Sequence, residues 1–289
     1  MDMRRFLTIT VLLTVFLSLA QPADGRRRTK VRKPKVTAAK EVIRKSELKS
    51  FAPLIFGADS VVMDSPVRTM SEMGLEGGTM IYICTLPEIK TPSMLRLGDC
   101  HDYAQVFIDD EPVGQTDRNK NALELPPVHD GQELKLLVEA MARKSSGEFV
   151  GISEPVTVSA EVEGNELTLN IRRWTILTVP DGFDTASKAL ETVAADSIAL
   201  VETSGKPGYY RFEAVFSRSG NIYLNMSNFG RGLVFVNGNP LGYYSSSAQP
   251  SLAVLRRYLK RGMNEVVVLD VVGPQQTVLS AQDQPAVGL

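Results

Sequence analysis

Short runs of apolar residues, separated by turn residues, fill the chain between Gly208 and Gly273. Four runs carry the pattern: Tyr209–Val215, Asn221–Asn225, Gly232–Val236 and Glu265–Val272. The first three alternate or cluster apolar positions over a few residues, and the last is an almost unbroken aliphatic run. Runs of this length, bounded by glycine, asparagine and serine, predict β-strands rather than helices.

The sequence Asn237-Gly238 marks a hairpin inside this segment. It lies between Val234–Val236 and a second apolar run that begins at Leu241. Both residues tolerate positive φ, which the tightest antiparallel turns require. We therefore expect two antiparallel strands joined at this point.

The same pattern occurs a second time at an offset of 128 residues. Val106–Gly114 aligns with Val234–Gly242, and Glu133–Glu139 aligns, after small gaps, with Asn264–Asp270. A period of this length is far longer than the units of solenoid proteins. The chain is therefore predicted to contain two all-β domains, each with its own core.

Two further elements are predicted around the junction of the repeats. Pro155–Glu163 and Glu166–Trp174 alternate apolar and polar residues on either side of a Gly-Asn turn, as in a hairpin. Asp181–Val201 is rich in alanine, with apolar residues at helical spacing. We expect this last segment to form a surface helix that links the two domains.

The N-terminus has the composition of a secretory signal. Arg4 and Arg5 precede the apolar run Phe6–Leu19, and small residues favour cleavage after Ala20. We therefore predict a signal peptide over residues 1–20 and a protein that is secreted, periplasmic or held at the cell surface. An uncleaved membrane anchor is the alternative.

A basic segment follows the predicted signal. Residues 21–50, and Arg26–Lys49 in particular, are rich in lysine and arginine and poor in large apolar residues, which predicts a disordered tether. It is suited to weak contact with anionic lipid or an acidic polymer; a solvated linker without a partner is the alternative. The net charge of −1 argues against nucleic acid as a partner.

Three segments resemble a known enzyme family. Phe229–Tyr244 (FGRGLVFVNGNPLGYY) is similar to a motif near the C-terminus of glycoside hydrolase family 35 β-galactosidases. Cys100–Leu125 and Leu136–Arg143 are similar to two further motifs of the same family. The resemblance extends over about Phe51 to Gly273 and implies two tandem jelly-roll, galactose-binding-like β-sandwiches.

On this basis we divide the chain by number. The first sandwich is expected at 51–178, a linker with the helix at 179–205, the second sandwich at 206–273 and a flexible tail at 274–289. In the family, such sandwiches follow a catalytic TIM barrel. No alternation of strands and helices appears in this sequence, so we expect no barrel within it.

The resemblance also bears on catalysis. Retaining glycosidases use two carboxylates about 5 Å apart, and no counterpart of the family's two glutamates is found here. Asn165-Glu166 and Asn264-Glu265 echo one family motif, but both pairs begin predicted strands. We therefore expect a non-catalytic, carbohydrate-associated module without a cofactor. The alternatives are a β-galactosidase subunit or remnant that acts with a separate catalytic barrel, and a purely structural protein.

A galactose-containing glycan is the expected ligand of such a module. Aromatic faces and hydroxyl-binding polar groups recognise sugars. Candidate residues surround the loops that follow the second hairpin: Tyr243, Tyr244, Tyr258, Asn237, Asn239, Arg231 and Gln249. Packing in the core or between the domains is the alternative for the tyrosines.

The cysteines and the potential metal ligands do not identify a further functional site. Cys84 and Cys100 are the only cysteines, and in an exported protein they could form a disulfide or remain two buried thiols. His101 and His129 lack the spacing of a zinc site, so no metal site is predicted. Structural calcium stays open, because loops of the first repeat contain Asp99, Asp102, Asp109 and Asp110.

Overall fold

Strands make up most of the computed structural model, which describes residues 38–75, 77–101, 103–140, 151–193, 205–217 and 220–286. The all-β prediction is confirmed. The signal peptide and the first part of the tether, predicted within residues 1–37, lie outside the described residues. Within the described part, no helix is both long enough and apolar enough to cross a membrane.

The elements are numbered in chain order. In the first part of the chain they are β1 (Ile43–Pro53), a 3-10 helix (Leu54–Gly57), β2 (Ser60–Ser65), β3 (Gly78–Thr85), β4 (Ser93–Arg96), β5 (Asp99–His101), β6 (Tyr103–Ile108), β7 (Glu111–Asp117), β8 (Ala122–Leu125), β9 (Glu133–Ala140), β10 (Gly151–Ser153), β11 (Thr157–Val162), β12 (Asn165–Asn170), β13 (Trp174–Val179) and helix α1 (Phe183–Thr192). In the second part they are β14 (Gly208–Phe216), β15 (Tyr223–Asn225), β16 (Arg231–Val236), β17 (Asn239–Ser245), β18 (Ser251–Ala253), a 3-10 helix (Arg256–Tyr258), β19 (Met263–Asp270) and β20 (Ser280–Gln282).

The first sandwich pairs a six-stranded sheet with a four-stranded one. The strand orders are β2-β13-β3-β9-β6-β7 and β12-β11-β4-β8. Alternate side chains of both sheets point inward, and the resulting core includes Tyr82, Trp174 and Leu136. The rings of Tyr82 and Trp174 meet edge to face at 6.2 Å, a favoured arrangement of aromatic pairs.

The second sandwich pairs a five-stranded sheet, β1-β14-β19-β16-β17, with the three-stranded sheet β18-β15-β20. Its separate core is built around Phe212, Phe229 and Val268. We predicted a tether up to residue 50 and a first sandwich that begins at residue 51. Both bounds were wrong, because β1 (Ile43–Pro53) pairs with β14 of the second sandwich over its whole length. The second sandwich is therefore assembled from two distant parts of the chain.

The C-terminal segment is another correction. Residues 274–289 were predicted to be a flexible tail, but β20 pairs with β15, and Leu279 and Ala281 are buried in the second core. The physical reason is that β15 is a short central strand with two edges to pair. Strand β18 pairs with one of these edges, and β20 pairs with the other.

The predicted repeat is visible in the pairing of the strands. The order β3-β9-β6-β7 of the first sandwich matches β14-β19-β16-β17 of the second. The register shifts between Val106 and Phe107 in one copy and between Val234 and Phe235 in the other, again 128 residues apart. A β-bulge at the same place in both hairpins indicates one architectural unit used twice.

The outer faces of the two large sheets pack against each other. A third buried cluster contains Ile81 and Leu137 from the first sandwich, Leu233 and Val267 from the second, and one face of α1. Central strands such as β19 are therefore buried on both faces, which explains their nearly unbroken aliphatic sequence. The predicted linking helix is present, but Ala186, Ala189 and Leu190 are buried in this cluster.

The hairpin β11–β12 differs in its turn from our prediction. Its two turn residues are Glu163 and Gly164, both with positive φ, rather than Gly164 and Asn165. Val162 and Asn165 are directly opposite each other across the turn. The two-residue turn with positive φ at both positions matches the right-handed twist of the strands.

Gly232 offers a test of the close packing of the second sandwich. A Cβ at this position would lie 1.9 Å from the carbonyl oxygen of Leu269, and φ is +154°. Gly232→Ala should therefore lower the free energy of unfolding by about 2–4 kcal/mol. Urea denaturation measures the loss.

Gly77→Ala is the matched control, because the nearest atom to its added Cβ is 3.7 Å away. It should change stability little. A Gly232→Ala protein as stable as this control would contradict the described approach of β16 to β19.

Candidate functional site

Tyr244, one of the three tyrosines predicted to stack on sugar, lies in the core of the second sandwich. It is fully buried, and its ring meets Phe229 edge to face at 6.3 Å. Its hydroxyl group donates to the carboxylate of Asp270 over 2.9 Å. The prediction for Tyr244 was wrong, because adjacent residues on a strand point to opposite faces and Tyr244 has the inward position.

Tyr243 and Tyr258 occupy two other places. Tyr243 points to the opposite face of β17, packs beside the cluster between the sandwiches and donates its hydroxyl hydrogen to Asp181. Tyr258 packs beside the second core, and the guanidinium group of Arg257 lies 5.0 Å from its ring centroid. The three tyrosines therefore do not form a common stacking platform.

The two predicted asparagines form hydrogen bonds within the protein, Asn237 to the segment before and at the start of β19 and Asn239 within its own turn. Asn237 donates to the carbonyl of Tyr258 over 2.7 Å and to Asn264 Oδ1 over 2.9 Å, and its own Oδ1 accepts from the backbone of Glu265. Asn239 Nδ2 donates to two carbonyls of the same turn. These contacts are structural, and they occupy Nδ2 and Oδ1 of Asn237 and Nδ2 of Asn239.

Arg231 connects the two sandwiches. Its Nε lies 2.9 Å from Oε2 of Glu139, which is 3% exposed, and its guanidinium carbon is 4.3 Å from the ring centroid of Tyr103. Glu139 and Tyr103 belong to the first sandwich and Arg231 to the second. Gln249, the last predicted site residue, is exposed, and its backbone bridges to Ser245.

Asp270 is a buried structural carboxylate that our sequence reading missed. It accepts four hydrogen bonds, from the backbone amides of Gly230, Val272 and Gly273 and from the hydroxyl of Tyr244. Burial raises its pKa, and the four donors act in the opposite direction. The repeat alignment with Glu139 was the available signal, since it places an acidic residue at the end of both aliphatic strands.

A polar cleft lies on the outer face of the five-stranded sheet, where the first sandwich no longer covers it. Its volume is about 580 Å³. We call it the polar cleft and define it by its lining residues: Lys49, Ser50, Leu190, Val193, Arg211, Glu213, Asn237, Lys260, Met263 and Glu265. Neighbouring strands and the end of α1 thus contribute to a single surface.

Charged groups of both signs alternate across the floor of this cleft. Arg211 Nε lies 3.1 Å from Glu265 Oε1, and Lys49 Nζ lies 3.5 Å from Glu213 Oε2. Glu213 and Glu265 are directly opposite on β14 and β19, so their Cβ atoms are about 5 Å apart. Acceptors and donors at this spacing can bind adjacent hydroxyl groups.

The paired glutamates do not resemble the acid and nucleophile of a glycosidase. A catalytic acid needs surroundings that favour its protonated form, such as an apolar pocket. Glu213 and Glu265 each face a cation, and their side chains are 44% and 35% exposed. The cleft therefore presents paired, partly exposed charged groups rather than a carboxyl group in an apolar pocket.

Metal binding finds no support in the side-chain geometry that is described. Asp109 accepts hydrogen bonds from the amide of Gln132 and the backbone of Glu133, and Asp110 forms an ion pair with Lys135. Within the described ranges, no three or more His, Cys, Asp or Glu side chains converge. Asp102 lies outside the described residues, and calcium stays untested.

Of the two alternatives for the cysteines, a disulfide or two buried thiols, the structure shows the thiols. Cys84 and Cys100 are both thiols buried in the first core. Burial raises the pKa of Cys84 to about 12. The two residues pack as small apolar side chains, which was the alternative to a disulfide.

Two family models that describe β-galactosidase domains match the chain. A family model described as "Beta-galactosidase, first all-beta domain" matches residues 66–176. A second, "Beta-galactosidase, galactose-binding domain", matches residues 207–264. The polar cleft takes Arg211, Glu213 and Lys260 from this second matched segment.

Relatives are matched over part of their length. The chain is 28% identical to β-galactosidase-1-like protein 3 of Rattus norvegicus over 180 residues, which is 60% of this chain and 27% of that protein. It is 25% identical to β-galactosidase 17 of Arabidopsis thaliana over 245 residues, 75% of this chain and 34% of that protein. The chain therefore spans about a third or less of these relatives.

Among solved structures, the chain is similar to a Pleurotus ostreatus lectin in complex with GalNAc. The TM-score is 0.31 at 11% identity, with 87% of this chain and 84% of the lectin covered. A likeness at this level supports no conclusion about a shared ligand.

The ion pair between the sandwiches leads to a stability prediction. Arg231→Met should destabilise the fold by about 3 kcal/mol, because it removes the cation beside the buried carboxylate of Glu139. Replacing both partners, with Arg231→Met and Glu139→Leu, should restore most of the loss. Denaturant unfolding of the single and double variants measures the difference; a double variant with the summed losses of the two singles would contradict it.

The two cysteines provide a chemical test. Without reductant, a thiol reagent should react slowly with the native protein, because burial disfavours the reactive thiolate. After denaturation it should label both cysteines. Mass spectrometry counts the labels. A denatured protein that takes up no label would show that the disulfide forms after all.

Proposed function

We propose that this chain, which carries the first all-β domain and the galactose-binding domain of β-galactosidases, is a non-catalytic module that binds a galactose-containing glycan. The observation that carries the proposal is the polar cleft on the sheet of the galactose-binding domain. It offers carboxylates, a guanidinium group and ammonium groups on one face, and the apolar side chain of Met263 beside them. This set suits the hydroxyl groups and C–H faces of a sugar.

The binding mode differs from the stacking mode that we expected from the sequence. The lining of the polar cleft includes no aromatic residue. Recognition would therefore rest on hydrogen bonds between charged side chains and sugar hydroxyl groups. Such charge-assisted hydrogen bonds are stronger than neutral ones. Glu213 and Glu265 would accept from hydroxyls, and Arg211 and Lys260 would donate to them.

Affinity electrophoresis in gels that contain galactose-bearing polysaccharides tests this proposal. The wild-type chain should be retarded, and Glu213→Gln or Glu265→Gln should each weaken binding about tenfold, as expected for a weakened charge-assisted hydrogen bond. Glu88→Gln is the matched control, because Glu88 is an exposed glutamate of the first sandwich outside the cleft.

Two outcomes of this experiment would contradict the proposal. One is a wild-type chain that binds no galactose-containing polymer. The other is equal weakening by the Glu88→Gln control. Purified chain should also leave nitrophenyl galactosides intact, and turnover that persists through purification would contradict the non-catalytic role.

A second role rests on the two matched domains, both of which are described as parts of β-galactosidase. In this role the chain would supply its sandwiches to a separate catalytic barrel, as a subunit of a family 35 glycoside hydrolase. Co-purification of a barrel protein from the native source, together with galactosidase activity of the complex, would support this role over independent glycan binding.

We also propose that the protein is exported. Arg4, Arg5 and the apolar run Phe6–Leu19 support a signal peptide that ends at Ala20. The basic residues that precede β1 would then contact an acidic polymer or membrane surface weakly. N-terminal sequencing of the exported protein should begin at Gln21, and an intact N-terminus would contradict cleavage.

A further inference from the structure

Strand β12 is an unprotected sheet edge. It occupies one end of the order β12-β11-β4-β8, and all six of its residues are exposed. Leu167 is 58% exposed and Leu169 is 38% exposed. Edge strands with apolar side chains and unpaired backbone groups are templates for pairing with another strand.

Other described edge strands carry features that discourage such pairing. Strands β7 and β17 contain Pro112 and Pro240 and lie beside bulges, and β1 contains lysines and two register shifts. Strand β2 also pairs through a register shift, and β8 has four residues. In β12, by contrast, the register with β11 is continuous, and the strand has neither proline nor lysine.

The register of the hairpin determines which backbone groups of β12 are unpaired. The tight turn places Val162 opposite Asn165, and a turn of this kind is closed by a hydrogen bond between those residues. Hydrogen-bonded and non-hydrogen-bonded pairs alternate along an antiparallel ladder. The amides and carbonyls of Glu166, Thr168 and Asn170 therefore point away from β11.

We propose that β12 pairs in an antiparallel manner with β12 of a second copy of this chain, about a two-fold axis at Thr168. In this register Thr168 faces Thr168 of the second copy, and Glu166 faces its Asn170. All outward backbone groups of the strand then find partners. The interface is self-complementary, as a two-fold axis requires.

The side chains agree with this register. Leu167 lies opposite Leu169 of the second copy, so four leucines meet on one face of the extended sheet. Glu166, the one charged residue of the strand, lies opposite the neutral Asn170 of the second copy. No like charges are opposed, and like charges directly opposite would be unfavourable.

The same leucines lie at an open side of the first core. Leu167 and Leu169 are cross-strand neighbours of Ala160 and Val158, and Val158 belongs to the buried core. A cleft of about 570 Å³ beside them is lined by Leu169, Met63 and Trp174, among others. A second copy would extend the inner face of the sheet at this side and reduce the exposure of its leucines.

A charge exchange tests the proposed register. Leu167→Lys should abolish self-association, because the lysine would face Leu169 of the second copy. Leu167→Lys combined with Leu169→Glu should restore it, since this register places the two introduced charges opposite each other. Sedimentation equilibrium of the full chain over a wide concentration range measures the mass, and thermal unfolding checks that each variant is folded.

The wild-type mass should rise toward twice that of the chain with concentration, and the single variant should remain monomeric. Hydrogen exchange adds a residue-level measurement: the amides of Glu166, Thr168 and Asn170 should be protected only at concentrations at which the mass has risen. A wild-type chain that stays monomeric at all concentrations would overturn the proposal. The same holds if a different protein is found to cover this edge. A Leu167→Lys variant that associates as strongly as the wild type would also overturn it.

Discussion

The packing of two equivalent sheets, outer face against outer face, is the constraint on which this structure depends. In a single β-sandwich a sheet buries one face and exposes the other, but here Leu137 and Val267 lie on faces that are buried by the other sandwich. Apolar burial on this scale is the main favourable contribution to folding. It joins the two repeats into one compact unit and makes α1 a part of the core between them.

The end of this contact positions the candidate site. Along β14 the outward residues change from the buried Tyr209 to Arg211 and then to Glu213, as the cover from the first sandwich and α1 ends. The same sheet is thus an apolar interface at one end and a charged cleft at the other. The side chains of the cleft stand largely on strands whose opposite face is buried in the second core, which favours a fixed arrangement of these groups.

Much of the fold follows from local signals in the sequence. The hairpin at Asn237 and the match of Val106–Gly114 with Val234–Gly242 indicated the repeat, because turns and bulges have strict local requirements. Strand β1 was missed because its charged residues, Lys45, Glu47 and Lys49 among them, resemble a tether, and its partner β14 is far away in sequence. Tyr244 was misjudged for a related reason: a bulge beside β17 sets which face each residue takes, and composition does not reveal it. The polar cleft was missed because it joins β1, α1, β14 and β19, which only the tertiary structure brings together.

The central claim is that the polar cleft binds sugar, and a crystal structure of the chain with a galactose-containing oligosaccharide tests it most directly. The account predicts a galactosyl residue in the polar cleft, with hydroxyl groups within hydrogen-bond distance of Glu213 and Glu265. An oligosaccharide bound at another surface, with the polar cleft occupied only by solvent at saturating ligand, would contradict it.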